Sequence, residues 1–237
     1  MNFSMQRVCA WSCIGFAAIF TVGFWLFSGF LPPIRPSDNA QQIAAIYNAD
    51  GDMIRVGLIL SLTGCVSFPL FGGVLAAQTR RIKSASPAFA YIQIAGAAGA
   101  TVVIMLALVF MLAAGFRSDA LDPDVVQGLN DVAWIMFIIT FPPFLAWCIA
   151  LAMAIFSDTS ENPVFPRWAG YFNIWIPGLF LPPVLLVFFK SGPFAWNGLV
   201  TFWVALTDFF VWMIVMFILV LKAINAEEAE AKAAASS

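Results

Sequence analysis

The stretch WVALTDFFVW, Trp203 to Trp212, sets a single carboxylate, Asp208, inside a long apolar run with no basic residue beside it. A central aspartate costs about 2.5 to 3.5 kcal/mol on insertion into a bilayer, so such a residue is retained for a partner or a use. Two chemistries fit. A neutral Asp208 can donate to a carbonyl freed by a proline, or to Asn173, and so fix how the last two helices pack. An Asp208 that lines a hydrated cavity can instead bind a cation or carry a proton. The helical spacing of Asn197, Thr201, Ala205, Asp208 and Trp212 gives the acid a polar face. Gly170, Asn173 and Pro177 make a similar stripe one run earlier. With Trp175, and with Gln93 nearer the opposite surface, Asp208, Asn173, Thr201, Trp212 and Pro177 form the candidate ligand-binding set.

Absent residue types narrow the chemistry. The chain has no histidine, which removes a central residue from haem, di-iron, copper and His-containing zinc sites and from Ser-His relays. Lys222 falls at the end of its run, too shallow for a Schiff base within a span. The two acids an intramembrane aspartyl protease would need lie at different depths. Asp131 is near a boundary, whereas Asp208 is roughly 16 Å in, at about 1.5 Å per residue. Asn48, Asp50 and Asp52 alternate as calcium ligands do, but the glycine is misplaced and Ile59 stands where a bidentate Glu belongs. Cys9, Cys13, Cys65 and Cys148 form neither a CxxC nor a disulfide framework. No glycine-rich phosphate loop adjoins a basic residue. The sequence therefore assigns no catalytic residue, no metal and no cofactor, and implies no nucleic-acid partner.

The elements that must position these residues follow from composition. Of 237 residues, 62% are hydrophobic and 10% charged, a balance suited to lipid rather than water. A hydrocarbon core of about 30 Å takes roughly 20 apolar residues per helical span. Six runs meet that length: Val8 to Leu31, Ile54 to Gln78, Phe89 to Phe116, Asn130 to Phe156, Trp168 to Phe189 and Asn197 to Leu221. The first is too long, and lacks a small-residue cleavage site, for a signal peptide. The predicted fold is an all-α bundle of six spans. Placing both termini in the cytoplasm puts seven basic residues inside (Arg7, Arg80, Arg81, Lys83, Arg167, Lys222, Lys232) against four outside (Arg35, Arg55, Arg117, Lys190).

The predicted domain covers residues 1–223, with an outer interfacial helix at about 37–48 that starts at Ser37 or Asp38. Residues 224–237 form a cytoplasmic tail, disordered or a frayed helix. Asp122 before Pro123 reads as a helix start. Pro69, Pro142, Pro143 and Pro177 break the backbone within spans, and freed carbonyls must face other helices or a wet cavity. Gly57, Ser61 and Gly64, and Ala95, Gly96, Gly99 and Ala100, are small-residue stripes for close helix packing. Trp11, Trp168 and Trp196 read as interfacial anchors. Trp134, Trp147, Trp175, Trp203 and Trp212 lie deeper and either wall a cavity for an apolar ligand or fill the core.

NPVFPRWAGYFNIW, Asn162 to Trp175, and FFKSGPFAWNG, Phe188 to Gly198, resemble a family of uncharacterised bacterial six-span integral membrane proteins. RVGLILSLTG and GLNDVAW extend the resemblance over most of the chain. It implies a fold and an address in the bacterial cytoplasmic membrane, and no activity. In PVFPRW, Arg167 is expected to meet headgroups or Asp158 and Glu161. The function expected is non-enzymatic, the binding or passage of a small lipophilic or neutral solute through a pocket between spans four, five and six. An accessory or scaffold subunit of a membrane complex is the alternative, and a lipid-modifying enzyme comes third. Expected partners are membrane lipid, a small lipophilic ligand, and a membrane protein partner or a second copy of the chain.

Overall fold

The computed structural model describes residues 3–236, which are helical with no strand among them. Six helical segments are long and apolar enough to cross a membrane. Residues 1 and 2 of the predicted domain 1–223, and Ser237 of the predicted tail, lie outside the described residues. Span one is α1 (Phe3–Thr21) continued by a π-turn, Val22–Phe27. A short helix, α2 (Ala40–Ala49), precedes span two, which is α3 (Gly51–Gly64) and α4 (Ser67–Thr79). Span three is the unbroken α5 (Pro87–Phe116). Span four joins α6 (Pro123–Ile139) to α7 (Pro142–Ser157). Span five is α8 (Arg167–Leu179) extended by the 3₁₀ segment Pro182–Phe188. Span six opens with a π-turn, Leu199–Val204, and runs on as α9 (Ala205–Ser236). Six crossings bring both chain ends to one end of the bundle, called here the terminal end, where Arg7 pairs with Glu228.

Local chemistry sets the starts and breaks. Asp122 caps α6, its Oδ1 accepting from the Asp124 amide at 2.9 Å with Pro123 at the first helical position. Pro142 and Pro143 cannot continue α6, so span four breaks at Thr140 and Phe141 and restarts. Helix α2 starts at Asn39 rather than Ser37 or Asp38. Asn39 accepts from the Gln42 amide at 3.0 Å and Gln42 accepts from the Asn39 amide at 2.9 Å, a reciprocal cap that Ser37 cannot make with Ala40. Its inner face, Ile43, Ala44 and Tyr47, is buried, and Tyr47 donates to Asn130 of α6 at 3.2 Å. Burial, reinforced by the Asp131 charge, pushes the Tyr47 phenol above its ordinary range, so it remains a donor.

Small residues and aromatic rings divide the packing between them. Gly57 of span two lies against Gly23 of span one, and Ser28 locks the crossing by donating to Gly23 O at 3.0 Å and Ile54 O at 3.2 Å. Gly96 lies under Pro143 and Trp147, where an added Cβ would come within 2.8 Å of both. Trp134, Trp147 and Trp212 are fully buried core residues. Trp175 and Trp203 turn outward, 71% and 39% exposed. Trp196, expected at an interface, is buried and donates to Ile34 O at 2.6 Å, because the turn before span six folds back over the loop after span one. Arg167 meets neither Asp158 nor Glu161. Its guanidinium sits 5.7 Å from the Phe156 ring, while Asp158 accepts from Ser160 and the Val164 amide.

The tail is helical as far as Ser236. Helix α9 continues unbroken through it because the tail has acceptors to dock. Glu227 is buried and accepts from Gln78 at 2.8 Å and Gln6 at 3.3 Å, with Arg81 at 3.6 Å. Arg81 also bonds Glu230 at 2.9 Å, and Lys232 bonds Glu228 at 2.9 Å. Replacing Glu227 with Ala strips three donors of a shared acceptor. The expected loss is about 1 to 3 kcal/mol, read as a lower unfolding temperature in detergent and faster proteolytic trimming of the last turns. An unchanged trimming rate would show that the tail is held by helix propensity alone.

Candidate functional site

The site is built on the facing sides of α7, α8 and α9. Asn173 of α8 is fully buried one turn before Pro177, which has no amide to give the Asn173 carbonyl. The Asn173 side chain is committed elsewhere. Its Oδ1 accepts from Trp212 Nε1 at 2.9 Å, and its Nδ2 donates to Ala169 O at 2.8 Å and contacts Met216 Sδ at 3.4 Å. Rings close around this bond. Trp212 meets Phe144 at 4.9 Å and Trp147 at 5.1 Å, both edge to face.

Asp208, one turn before Trp212, is 8% exposed, and its Oδ2 is buried without a hydrogen-bond partner among the described residues. The expected bond from Asp208 to Asn173 is therefore absent, because Trp212 takes the acceptor. Trp134 Nε1 and Trp147 Nε1 are likewise buried without partners. The other candidates scatter. Trp175 faces outward. Gln93 is buried near the terminal end, donating to Thr79 at 3.0 Å. Thr201 is buried and donates to Phe194 O at 3.0 Å, closing the turn before span six.

An apolar cavity of about 110 Å³ adjoins the ring cluster, sharing Phe144 and Phe209 with it. Every span contributes a wall, with Phe16, Phe68, Ile104, Phe144, Phe180 and Phe209 in chain order. Thr140 and Thr201 also line it, but each hydroxyl is spent on a backbone carbonyl, of Met136 and Phe194. A cavity lined almost wholly by apolar side chains offers few of the two to four polar partners that a buried water needs. Of the seven residues singled out by sequence, only Thr201 lies on these walls. The π-turn at Leu199–Val204 explains the miss. It inserts about one residue into the helix, so the face holding Thr201 continues as Ala205, Leu206, Phe209 and Phe210 rather than as Asp208 and Trp212. A readable signal for the opposite wall is the i, i+4 ladder Phe16, Phe20 and Phe24, whose rings follow one another at 5.0 and 5.2 Å.

Compared with protein-family models, with curated proteins and with solved structures, the chain finds no match in any of the three.

Proposed function

We propose that this is a non-enzymatic multi-pass protein of the bacterial cytoplasmic membrane, both termini inside, that binds a small lipophilic solute in the cavity at the centre of its six spans. One observation carries the reading: the walls of that cavity are drawn from all six spans and are almost wholly apolar, with both threonine hydroxyls donating to backbone carbonyls. Apolar cavities of about 150 Å³ stay dry and take up benzene-sized guests, and this one is of that order at about 110 Å³. The seven-to-four excess of basic residues towards the terminal end supports the orientation. The resemblance of the Asn162 to Trp175 and Phe188 to Gly198 stretches supports a bacterial address.

Iodobenzene, a heavy-atom quencher, tests the reading on the purified chain in mild detergent. Trp134 meets the wall residues Phe137 and Phe202 edge to face at 6.1 Å, so an occupied cavity quenches its emission. Saturable quenching is expected, weakened about tenfold by Leu206→Phe, which fills the cavity, and unchanged by Asp208→Asn, which lies off its walls. The reverse pattern would move the ligand to the carboxylate. Quenching equal in all three, with a protein co-purifying at fixed ratio, would leave the accessory-subunit reading in its place.

A further inference from the structure

A second, larger recess of about 470 Å³ opens at the terminal end, between the start of α8 and the last apolar turns of α9. Its walls are of two kinds. Leu219, Val164 and the ring of Trp168 are apolar, and Trp168 is half exposed. Asn162, Arg81, Lys222 and Glu230 are polar. The charges are not equivalent. Arg81 is held by Gln78 at 2.8 Å, by Ala223 O at 3.0 Å and by Glu230 at 2.9 Å, with Glu227 at 3.6 Å, so its charge is met by carboxylates. Lys222 lines the same recess and makes neither an ion pair nor a hydrogen bond among the described residues. It is a cation without an ion-pair partner, placed where the apolar part of span six ends.

We infer that this recess binds a phosphate group, with Lys222 as its cationic ligand, Asn162 as an amide donor and Trp168 as the aromatic wall. The order Leu219 then Lys222 along one helix favours the phosphate of an anionic phospholipid, with the head at Lys222 and an acyl chain running past Leu219 into the span. Basic recesses at the boundary of a membrane bundle recognise such heads, and an indole is suited to the same level. This inference is independent of the central cavity, which shares no lining residue with the recess.

Native mass spectrometry of the full chain, released from mild detergent with dioleoyl phosphatidylglycerol or with dioleoylglycerol, tests it. Retention of phosphatidylglycerol is expected to fall about fivefold in Lys222→Gln, the weight of one interfacial lysine, and to rise in Glu230→Gln. Retention of the phosphate-free dioleoylglycerol should be unaffected in both. Lys222 makes no hydrogen bond or ion pair among the described residues, so its variant is expected to keep the wild-type unfolding temperature, which is measured alongside. If inorganic phosphate raises that temperature in the wild type and not in Lys222→Gln, while phosphatidylglycerol retention is the same in both, the phosphate comes from solution rather than lipid. Retention unchanged in both variants, with no effect of inorganic phosphate, overturns the proposal.

Discussion

Gly57→Leu is expected to abolish the folded bundle, and Gly57→Ala to weaken it severely. A Cβ at Gly57 would fall inside the van der Waals envelopes of Ser28 Oγ and the Gly23 carbonyl oxygen, and 2.6 Å from the Ser28 amide nitrogen. Two of those three atoms are backbone, so no rotamer change relieves the overlap. The approach is reciprocal, since a Cβ at Gly23 would stand 2.5 Å from Gly57 O. Spans one and two would have to separate, and Ser28 would lose its bonds to Gly23 O and Ile54 O. Overpacking a closed core costs about 1 to 3 kcal/mol and more where the backbone must shift. In a membrane, helix association depends on this kind of close fit. The check is monodispersity in detergent: Gly57→Leu should elute as aggregate, and Gly57→Ala should unfold well below the wild type. Gly73→Ala is the control, because nothing lies within 4 Å of its added Cβ. A monodisperse Gly57→Leu would show that the crossing of spans one and two is looser than the Gly23 contact implies.

Asn173→Leu should have the next largest effect, because it breaks both side-chain bonds by which Asn173 ties α8 to α9, from Trp212 Nε1 and to Met216 Sδ. Trp212 Nε1 would join Trp134 Nε1 and Trp147 Nε1 as a donor without a partner. Leaving such a group buried costs about 1 to 3 kcal/mol. The double variant Asn173→Leu with Trp212→Phe removes donor and acceptor together, so its loss should be smaller than the sum of the single losses. The coupling expected for a bond between membrane helices is about 0.6 to 1.7 kcal/mol. Thermal unfolding of the four proteins measures it. Strict additivity would mean that the 2.9 Å contact between Trp212 and Asn173 contributes shape and no hydrogen-bond energy.

The six spans are readable from sequence because apolar run length is a property of the chain itself, independent of its neighbours. The start of α6 at Asp122 and Pro123 is local in the same way. What the sequence hides is decided between segments. Asp208 and Asn173 are the two strongly polar side chains of the last two spans, and pairing them is the natural expectation. The indole of Trp212 is one turn further along the same helix and takes the acceptor. The cavity walls are hidden for a second reason. A regular period carried through Leu199–Val204 places Asp208 inward with Thr201, whereas the π-turn passes that direction to Phe209. The docking of the tail is hidden because its partners, Gln6 and Gln78, sit at the ends of two other spans and carry no mark in their own neighbourhoods.

Helix α9 is 32 residues long, about 48 Å at roughly 1.5 Å per residue, against a hydrocarbon core of about 30 Å. Span six and its tail are therefore one continuous helix, with Phe209 on the cavity at one part and Glu227 seated among Gln6, Gln78 and Arg81 at another. At roughly 1.5 Å per residue, the cavity wall and the glutamate seat stand about 27 Å apart on a single axis.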